Sequence, residues 1–218
     1  MTIKNIVVLI SARGTNLGAL LKAAADERWH ERPGARIAAV ISNRADAAGL
    51  EFARAAGVPS HIVDHTEYAS REAFDEVLAR TIDRYTPTLV VLAGFMRVLT
   101  PAFVGRYDGR LLNIHPSLLP LFPGLFTHRQ ALAAGVRIHG ATVHFVSTEV
   151  DGGAIIAQAA VPVQPDDDEQ TLAARVLVQE HRLLPRAVKL VLEGRVQFAG
   201  GRVVLDGVRP DELSLLAA

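Results

Sequence analysis

Three short runs in the first half of this chain are apolar at nearly every position. They are NIVVLISA from Asn5 to Ala12, ARIAAVIS from Ala35 to Ser42, and TLVVLAG from Thr88 to Gly94. A strand with one wet face alternates apolar and polar residues, and these runs do not. Unbroken Val- and Ile-rich runs of this length fit strands buried on both faces. Such sheets are mainly parallel, and parallel neighbours need a crossover connection, usually a helix.

Helical patterns lie where those crossovers are needed. One begins near Leu17, and an alanine-rich one runs from Asp46 to Ala56 and is stopped by Gly57 and Pro59. Ser60 to Val63 reads as a short third strand. Ser70 to Tyr85 reads as the next helix, with Ser70 as its N-cap and Glu72 and Asp75 near its first turn. Thr100-Pro101 opens a short helix with Pro in its favoured first-turn position. Leu111 to His115 is a short strand, and Thr127 or His128 opens a helix ending near Gly135. Ile138 to Ser147 and Ala154 to Val163 read as strands on either side of an Asp151-Gly152-Gly153 turn. A long helix is expected from Glu169 to Glu193, kinked or split at Pro185. Arg195 to Leu205 reads as a β-hairpin, and the last residues as loosely held. The expectation is therefore an α/β fold with a mainly parallel sheet, right-handed crossovers and helices on both faces. Antiparallel strands belong to its second half.

Composition narrows the function. The chain has 218 residues, 23 Lys plus Arg against 23 Asp plus Glu, and no Cys. Zero net charge argues against an extended nucleic-acid surface. Without cysteine there is no disulfide, thiolate metal site or cysteine nucleophile. No apolar run reaches the roughly 18 residues of a membrane helix, and no signal-peptide pattern opens the chain, so a cytoplasmic protein is expected.

Chemical capacity collects at strand ends. Asn113 and His115 lie two residues apart, so on an extended segment they share a face. The amide can donate hydrogen bonds to an oxygen, and the imidazole can move a proton near neutral pH. Asp151 ends the next apolar run and could orient or charge-stabilise that imidazole. This reads as an acyl-transfer centre. The loop from Pro116 to Phe126, stiffened by Pro116, Pro120 and Pro123, is of the kind that shapes a site.

At the first strand's end, Ser11-Ala12-Arg13-Gly14-Thr15-Asn16 leads into a helix whose unpaired N–H groups suit a phosphate. The alternative is a tight turn with Asn16 as N-cap and no ligand. One glycine does not make the dinucleotide fingerprint. Asn43-Arg44 lacks the acidic residue that binds a ribose diol, and the Walker lysine is absent. Phe95, Met96, Val98 and Leu99 follow a buried strand and could wall a pocket for a flat ring, with core packing as the alternative. Arg71 alone reads as a surface ion pair. The acidic stretch from Asp166 to Glu169 reads as helix capping, not metal binding. A metal hydrolase built on His128, His139 and His144 matches no ligand spacing.

Taken together, ISARGTNL, VVLAGFMRVLTPAFV, LLNIHPSLLPLFPGLFTHRQAL, HGATVHFVSTEVDGG and QEHRLLP resemble the phosphoribosylglycinamide formyltransferases, folate-dependent enzymes of purine synthesis. The likeness runs from Asn5 to the final hairpin. N-x-H-P-S-L-L-P with a downstream D-G-G marks the wider folate formyltransferase superfamily, and the phosphate loop, the QEH segment and the length narrow it. The resemblance implies a Rossmann-like three-layer α/β/α formyltransferase fold. It implies one domain over 1–218, with a phosphate- and ribonucleotide-binding half at 1–100 and a catalytic and folate-binding half at 101–218.

The reaction implied is formyl transfer from 10-formyltetrahydrofolate to the amine of glycinamide ribonucleotide. By motif match, Asn113, His115 and Asp151 are the catalytic trio. Gly14, Thr15 and Asn16 would take the phosphate, with Ser117 and Glu180 beside the rest of the ribonucleotide. Arg71, Met96, Arg97, Val98 and Leu99 would form the folate site with Asn113 and the loop Ser147, Thr148, Glu149, Val150 and Asp151. No metal is implied. Partners would be small molecules, with no nucleic acid or membrane, and the protein a monomer or weak homodimer. Two positions depart from the family pattern. Ala12 stands where Gly is frequent, which restricts the turn, and Leu121 where Lys or another polar residue is common, which leaves one fewer charge.

Rival readings share the motifs or dispense with them. A formyltetrahydrofolate deformylase would deliver water to the same formyl group. It usually carries an N-terminal regulatory domain, for which a strand starting at residue 5 leaves no room. A methionyl-tRNA formyltransferase would need a C-terminal RNA-binding domain. A non-catalytic folate- or phosphate-binding module would not need the intact Asn113, His115 and Asp151.

Overall fold

The computed structural model describes residues 3–216. The chain divides into two compact units, Met1–Asn113 and Ile114–Ala218.

The first unit holds β1 (Lys4–Ile10), β2 (Ala35–Ser42), β3 (Ser60–Ile62), β4 (Leu89–Leu92) and most of β5 (Leu111–His115). Their order is β5-β4-β1-β2-β3, and every pairing is parallel. The unbroken apolar runs are covered on both faces: Ile6, Val7, Val8, Leu9 and Ile10 are all fully buried. Each such side chain contributes about 1.5–3 kcal/mol when removed from water. The chain steps outward from β1 to β2 and β3, then returns to the other side of β1 for β4 and β5. With right-handed crossovers, the helices α1 (Thr15–Asp26) and α2 (Leu50–Ala55) fall on one face of this sheet. Helices α3 (Arg71–Asp83) and α4 (Pro101–Arg106) fall on the other. Accordingly α1 touches α2, and α3 touches α4.

Helix starts follow local chemistry. The Ser70 hydroxyl accepts the Ala73 N–H at 3.1 Å, and Thr100 caps α4 ahead of Pro101 by accepting from Phe103. Buried Asp75 on α3 accepts the Thr100 N–H at 2.7 Å and so fastens α3 to the start of α4. Helix α2 starts at Leu50 rather than Asp46, because Asp46 is engaged in a turn by a bidentate pair with Arg44.

The second unit holds β6 (Ile138–Phe145) and β7 (Ile155–Pro162), which pair antiparallel. It also holds α5 (Thr127–Ala133) and α6 (Glu169–Leu192). Helix α6 packs on β6 and β7 and is opened by an Asp168–Thr171 capping box. Of the kink or split expected at Pro185, the split does not occur: the helix continues through that residue. A proline inside a helix costs about 3 kcal/mol. Leu183, Leu184 and Val188, all fully buried around it, recover about 1.5–3 kcal/mol each. The hairpin forms as β8 (Val196–Ala199) and β9 (Arg202–Leu205).

Beyond the hairpin, the loosely held tail is not found. A short helix α7 (Pro210–Leu213) leads into β10 (Ser214–Leu216), which adds parallel to β7. Arg195 fixes it through two hydrogen bonds to the Glu212 carboxylate. Residues 217 and 218 lie outside the described residues. The fold class is the expected one: a mostly parallel sheet with helices around it and antiparallel strands in the C-terminal part.

Candidate active site

In the first unit the strand order reverses between β1 and β4, and ligands of open α/β sheets bind beyond the carboxyl ends of strands at such a point. Two loops leave there. The loop after β1 enters α1 at Thr15, and Gly14 rather than Asn16 holds the N-cap position, with φ +69°. No side chain caps this helix. Gly14 packs directly on Gly49 at the head of α2. A Cβ on Gly14 would collide with the Gly49 Cα, and one on Gly49 would sit 2.8 Å from both the Gly14 Cα and Ile10 Cδ1. The Gly49 N–H donates to the Ala12 carbonyl at 3.0 Å. Ala12 and Arg13 are exposed, whereas Gly14 and Asn16 are buried.

The loop after β4 turns at Gly94, φ +79°. Phe95 goes into the core, but Met96 and Val98 remain 64% and 55% exposed, which settles Phe95 as packing and leaves the other two as open apolar surface. Arg97 and Leu99 are half-buried, and Arg71, at the start of α3, is exposed.

Strand β5 carries Asn113, half-buried, and His115, buried, on one side of its pleat, as their spacing requires. In the second unit the His115 Nδ1 lies 3.4 Å from Asp151 Oδ2, and its Nε2 lies 3.0 Å from the Phe122 carbonyl oxygen. Both ring nitrogens face oxygens. The Asp151 carboxylate also accepts the Gly124 N–H at 2.8 Å, and its other oxygen is 3.9 Å from His144 Nε2. His144 Nδ1 is 2.9 Å from the Phe145 carbonyl, so this nitrogen carries the hydrogen and donates it. Burial pushes the His144 imidazole below its ordinary range, which keeps it neutral near pH 7.

The D-G-G sequence explains how Asp151 arrives there. Asp151 itself has φ +54°, a left-handed conformation. Gly153 passes so close to the Phe145 carbonyl that any Cβ would overlap that oxygen. The turn thus folds back on the end of β6. Ser147 Oγ donates to the Glu149 carbonyl within the same loop, while Thr148, Glu149 and Val150 are exposed.

Ser117 is fully buried, and its hydroxyl donates to the Leu121 carbonyl at 2.6 Å, closing the proline-rich loop on itself. Leu121 is 55% exposed. Glu180 is buried on α6. Sequence reasoning missed three contributors: His144, the Phe122 carbonyl and the Gly124 N–H. His144 had a signal, since it stands on β6 just ahead of the turn that carries Asp151. The two backbone groups had none. His128 and His139 instead pair with each other at 3.2 Å. Among the described residues no cluster of three or more His, Asp or Glu could hold a metal ion.

The formyl transferase family model matches residues 4–188. The chain is 51% identical to the phosphoribosylglycinamide formyltransferase of Escherichia coli, over 94% of this chain and 95% of that protein. Among solved structures, the phosphoribosylglycinamide formyltransferase of Coxiella burnetii is 45% identical with a TM-score of 0.87, covering 99% of each chain. Glycinamide ribonucleotide transformylase 1 of Symbiobacterium toebii is 50% identical with a TM-score of 0.88, covering 94% of this chain and 95% of that one. The chain belongs to the formyl transferase family, within its phosphoribosylglycinamide formyltransferase branch.

Proposed function

We propose that this enzyme moves a formyl group from 10-formyltetrahydrofolate to the amine of glycinamide ribonucleotide, with Asn113, His115 and Asp151 at the reacting atoms. The observation that carries the residue roles is the His115–Asp151 pair, 3.4 Å apart, with His115 buried on the strand that also presents Asn113. The amine nitrogen attacks the formyl carbon, and negative charge builds on the formyl oxygen. The Asn113 amide and the His115 Nε2–H are the donors for that oxygen, the latter exchanging its Phe122 carbonyl partner for the formyl oxygen. As the tetrahedral species collapses, the bond to the folate nitrogen breaks. The attacking amine loses one proton and the leaving nitrogen gains one, with His115 as the relay. Asp151 holds the imidazole in place and balances its charge while the ring is protonated.

The phosphate goes to Gly14, Thr15 and Asn16 at the uncapped start of α1. Ser117 shapes the loop beside the ribonucleotide, and Glu180 contacts its remainder. The folate lies against Arg71 and the segment from Met96 to Leu99, with Asn113 and the loop from Ser147 to Asp151. The exposed Met96 and Val98 support an apolar wall for its flat ring. Small molecules are its only proposed partners, in the cytoplasm, as a monomer or weak homodimer. The zero net charge is in keeping with that, and no described helix is long and apolar enough to cross a membrane.

An assay tests this directly. Absorbance of a formylated folate is followed with and without the ribonucleotide. Ribonucleotide-dependent loss of the formyl group, with formylated product recovered, is the expected result. Formate released without the ribonucleotide would replace transfer by hydrolysis.

A further inference from the structure

The loops after β1 and β4 are joined by the side chain of Ser11, to which the motifs above give no role of its own. The backbone ladder between the two strands continues past their ends, with Ala93 donating to Leu9 at 2.9 Å and Ser11 donating to Gly94 at 3.1 Å. Gly94 then turns the chain away. The Met96 N–H is nevertheless held, because it donates to Ser11 Oγ at 2.7 Å. Having accepted that bond, the hydroxyl donates its own hydrogen to Asn43 Oδ1 at 2.6 Å. Asn43, at the carboxyl end of β2, presents its amide nitrogen to His65 Nδ1 at 3.2 Å. Ser11 and Asn43 are buried, at 3% and 2% exposure. Met96 therefore combines an anchored backbone with a solvent-exposed apolar side chain. An ordinary exposed methionine on a loop has no such anchor.

We propose that Ser11 is a positioning residue for the formyl-donor site. Its hydroxyl sets where the Met96 side chain stands and ties that wall to the loop that begins one residue later and holds the phosphate. The proposal rests on the folate and phosphate assignments above. In it Ser11 touches neither substrate. It acts through the Met96 amide, and Asn43 acts by orienting the hydroxyl. Removing the hydroxyl leaves the Met96 N–H and the buried Asn43 amide oxygen without their partner, a loss that typically weakens a dependent equilibrium by about tenfold.

Two measurements on the full-length protein test it. Hydrogen exchange at the Met96 amide, without ligand, reads the contact itself. Steady-state kinetics with a formylated folate and the ribonucleotide read its consequence. Ser11→Ala is expected to raise Met96 exchange and the KM for the folate by about tenfold each, with kcat changed less than about twofold. Ser11→Thr keeps the hydroxyl and is expected to restore both. If Ser11→Ala yields little folded protein, Asn43→Ala removes the other end of the chain and is expected to shift both readouts in the same direction. Unchanged exchange and KM in the alanine variants overturn the proposal. So does a fall in kcat at constant KM, or a failure of threonine to restore them. If the wild-type protein turned over no formylated folate, the functional reading would fall, while the exchange measurement would still decide whether Ser11 positions Met96.

Discussion

At the scale of single residues, the trio divides into roles that separate kinetically. His115 is wedged between two oxygens, the Phe122 carbonyl and the Asp151 carboxylate, and is nearly sealed from solvent. His115→Ala removes both a donor and the proton relay. A loss of about 10²–10⁴ in kcat is expected, with ribonucleotide KM changed less than about threefold. Asp151→Asn keeps the shape and removes the charge, and kcat is expected to fall by about 10²-fold or more. Steady-state kinetics check both, and near-wild-type turnover in either variant would remove that residue from the mechanism. Gly153 tests the turn rather than the chemistry. Gly153→Ala places a methyl group onto the Phe145 carbonyl. The turn must open and carry Asp151 away from His115. A large fall in kcat accompanied by a lower Tm is expected, unlike Asp151→Asn, which leaves the Tm near wild type.

At the scale of elements, the loop proposed to hold the phosphate is braced by the backbone at the head of α2. Gly49 opens α2, donates its N–H to Ala12, and lies flat against Gly14. Gly49→Ala would push the two segments apart, because neither Gly14 Cα nor Ile10 can retreat within a packed core. The KM for the ribonucleotide is expected to rise by about tenfold or more, and that for the folate much less. Equal changes in both would show that the loop does not serve the phosphate. The same contact explains what the sequence could and could not say. Strands β2 and β5 lie where the sequence placed them, Ala35–Ser42 and Leu111–His115, and in β2 burial on both faces leaves an apolar residue at nearly every position. The N-caps Ser70 and Thr100 were legible for a similar reason, since capping is decided within four residues. Helix α2 was read to start four residues too early, because the Arg44–Asp46 pair and the Gly14–Gly49 contact are not visible in an alanine-rich pattern. A split at Pro185 does not occur, because the proline's cost is local while the packing that outweighs it is not. Strand β10 went unread because three residues gain their strand character only by pairing with β7, more than fifty positions away. In the site, Asn113 and His115 were legible as an i, i+2 pair. The Gly124 and Phe122 backbone groups that hold Asp151 and His115 carry no side-chain signature.

At the scale of the whole molecule, zero net charge at pH 7 leaves little self-repulsion, so the response to acid is set by individual buried groups. Four imidazoles contribute to it. Burial lowers His128, His139, His144 and His181, and for His139, which also faces His128 and His115, the value drops from 6.5 to about 4. Each ring is neutral in the fold but takes up a proton in the unfolded chain near 6.5. Between about pH 6.5 and 4 the unfolded state therefore binds more protons, and stability falls as the pH falls. For His139 alone the loss is about 1 kcal/mol by pH 5.5 and about 3 kcal/mol by pH 4. Below that range the Asp167 carboxylate, held well under the usual values chiefly by its hydrogen bonds from Arg175, begins to add its own loss. Denaturant titrations at pH 8, 6.5 and 5.5 should show full stability at the first pH, an onset of loss at the second and a clear drop at the third. His139→Gln should flatten that slope whatever it does to stability at pH 8, because it deletes a group that titrates only on unfolding. A slope unchanged by this substitution would assign the acid response to other groups, and would mean that His139 is protonated inside the fold, against the His128 ring only 3.2 Å away.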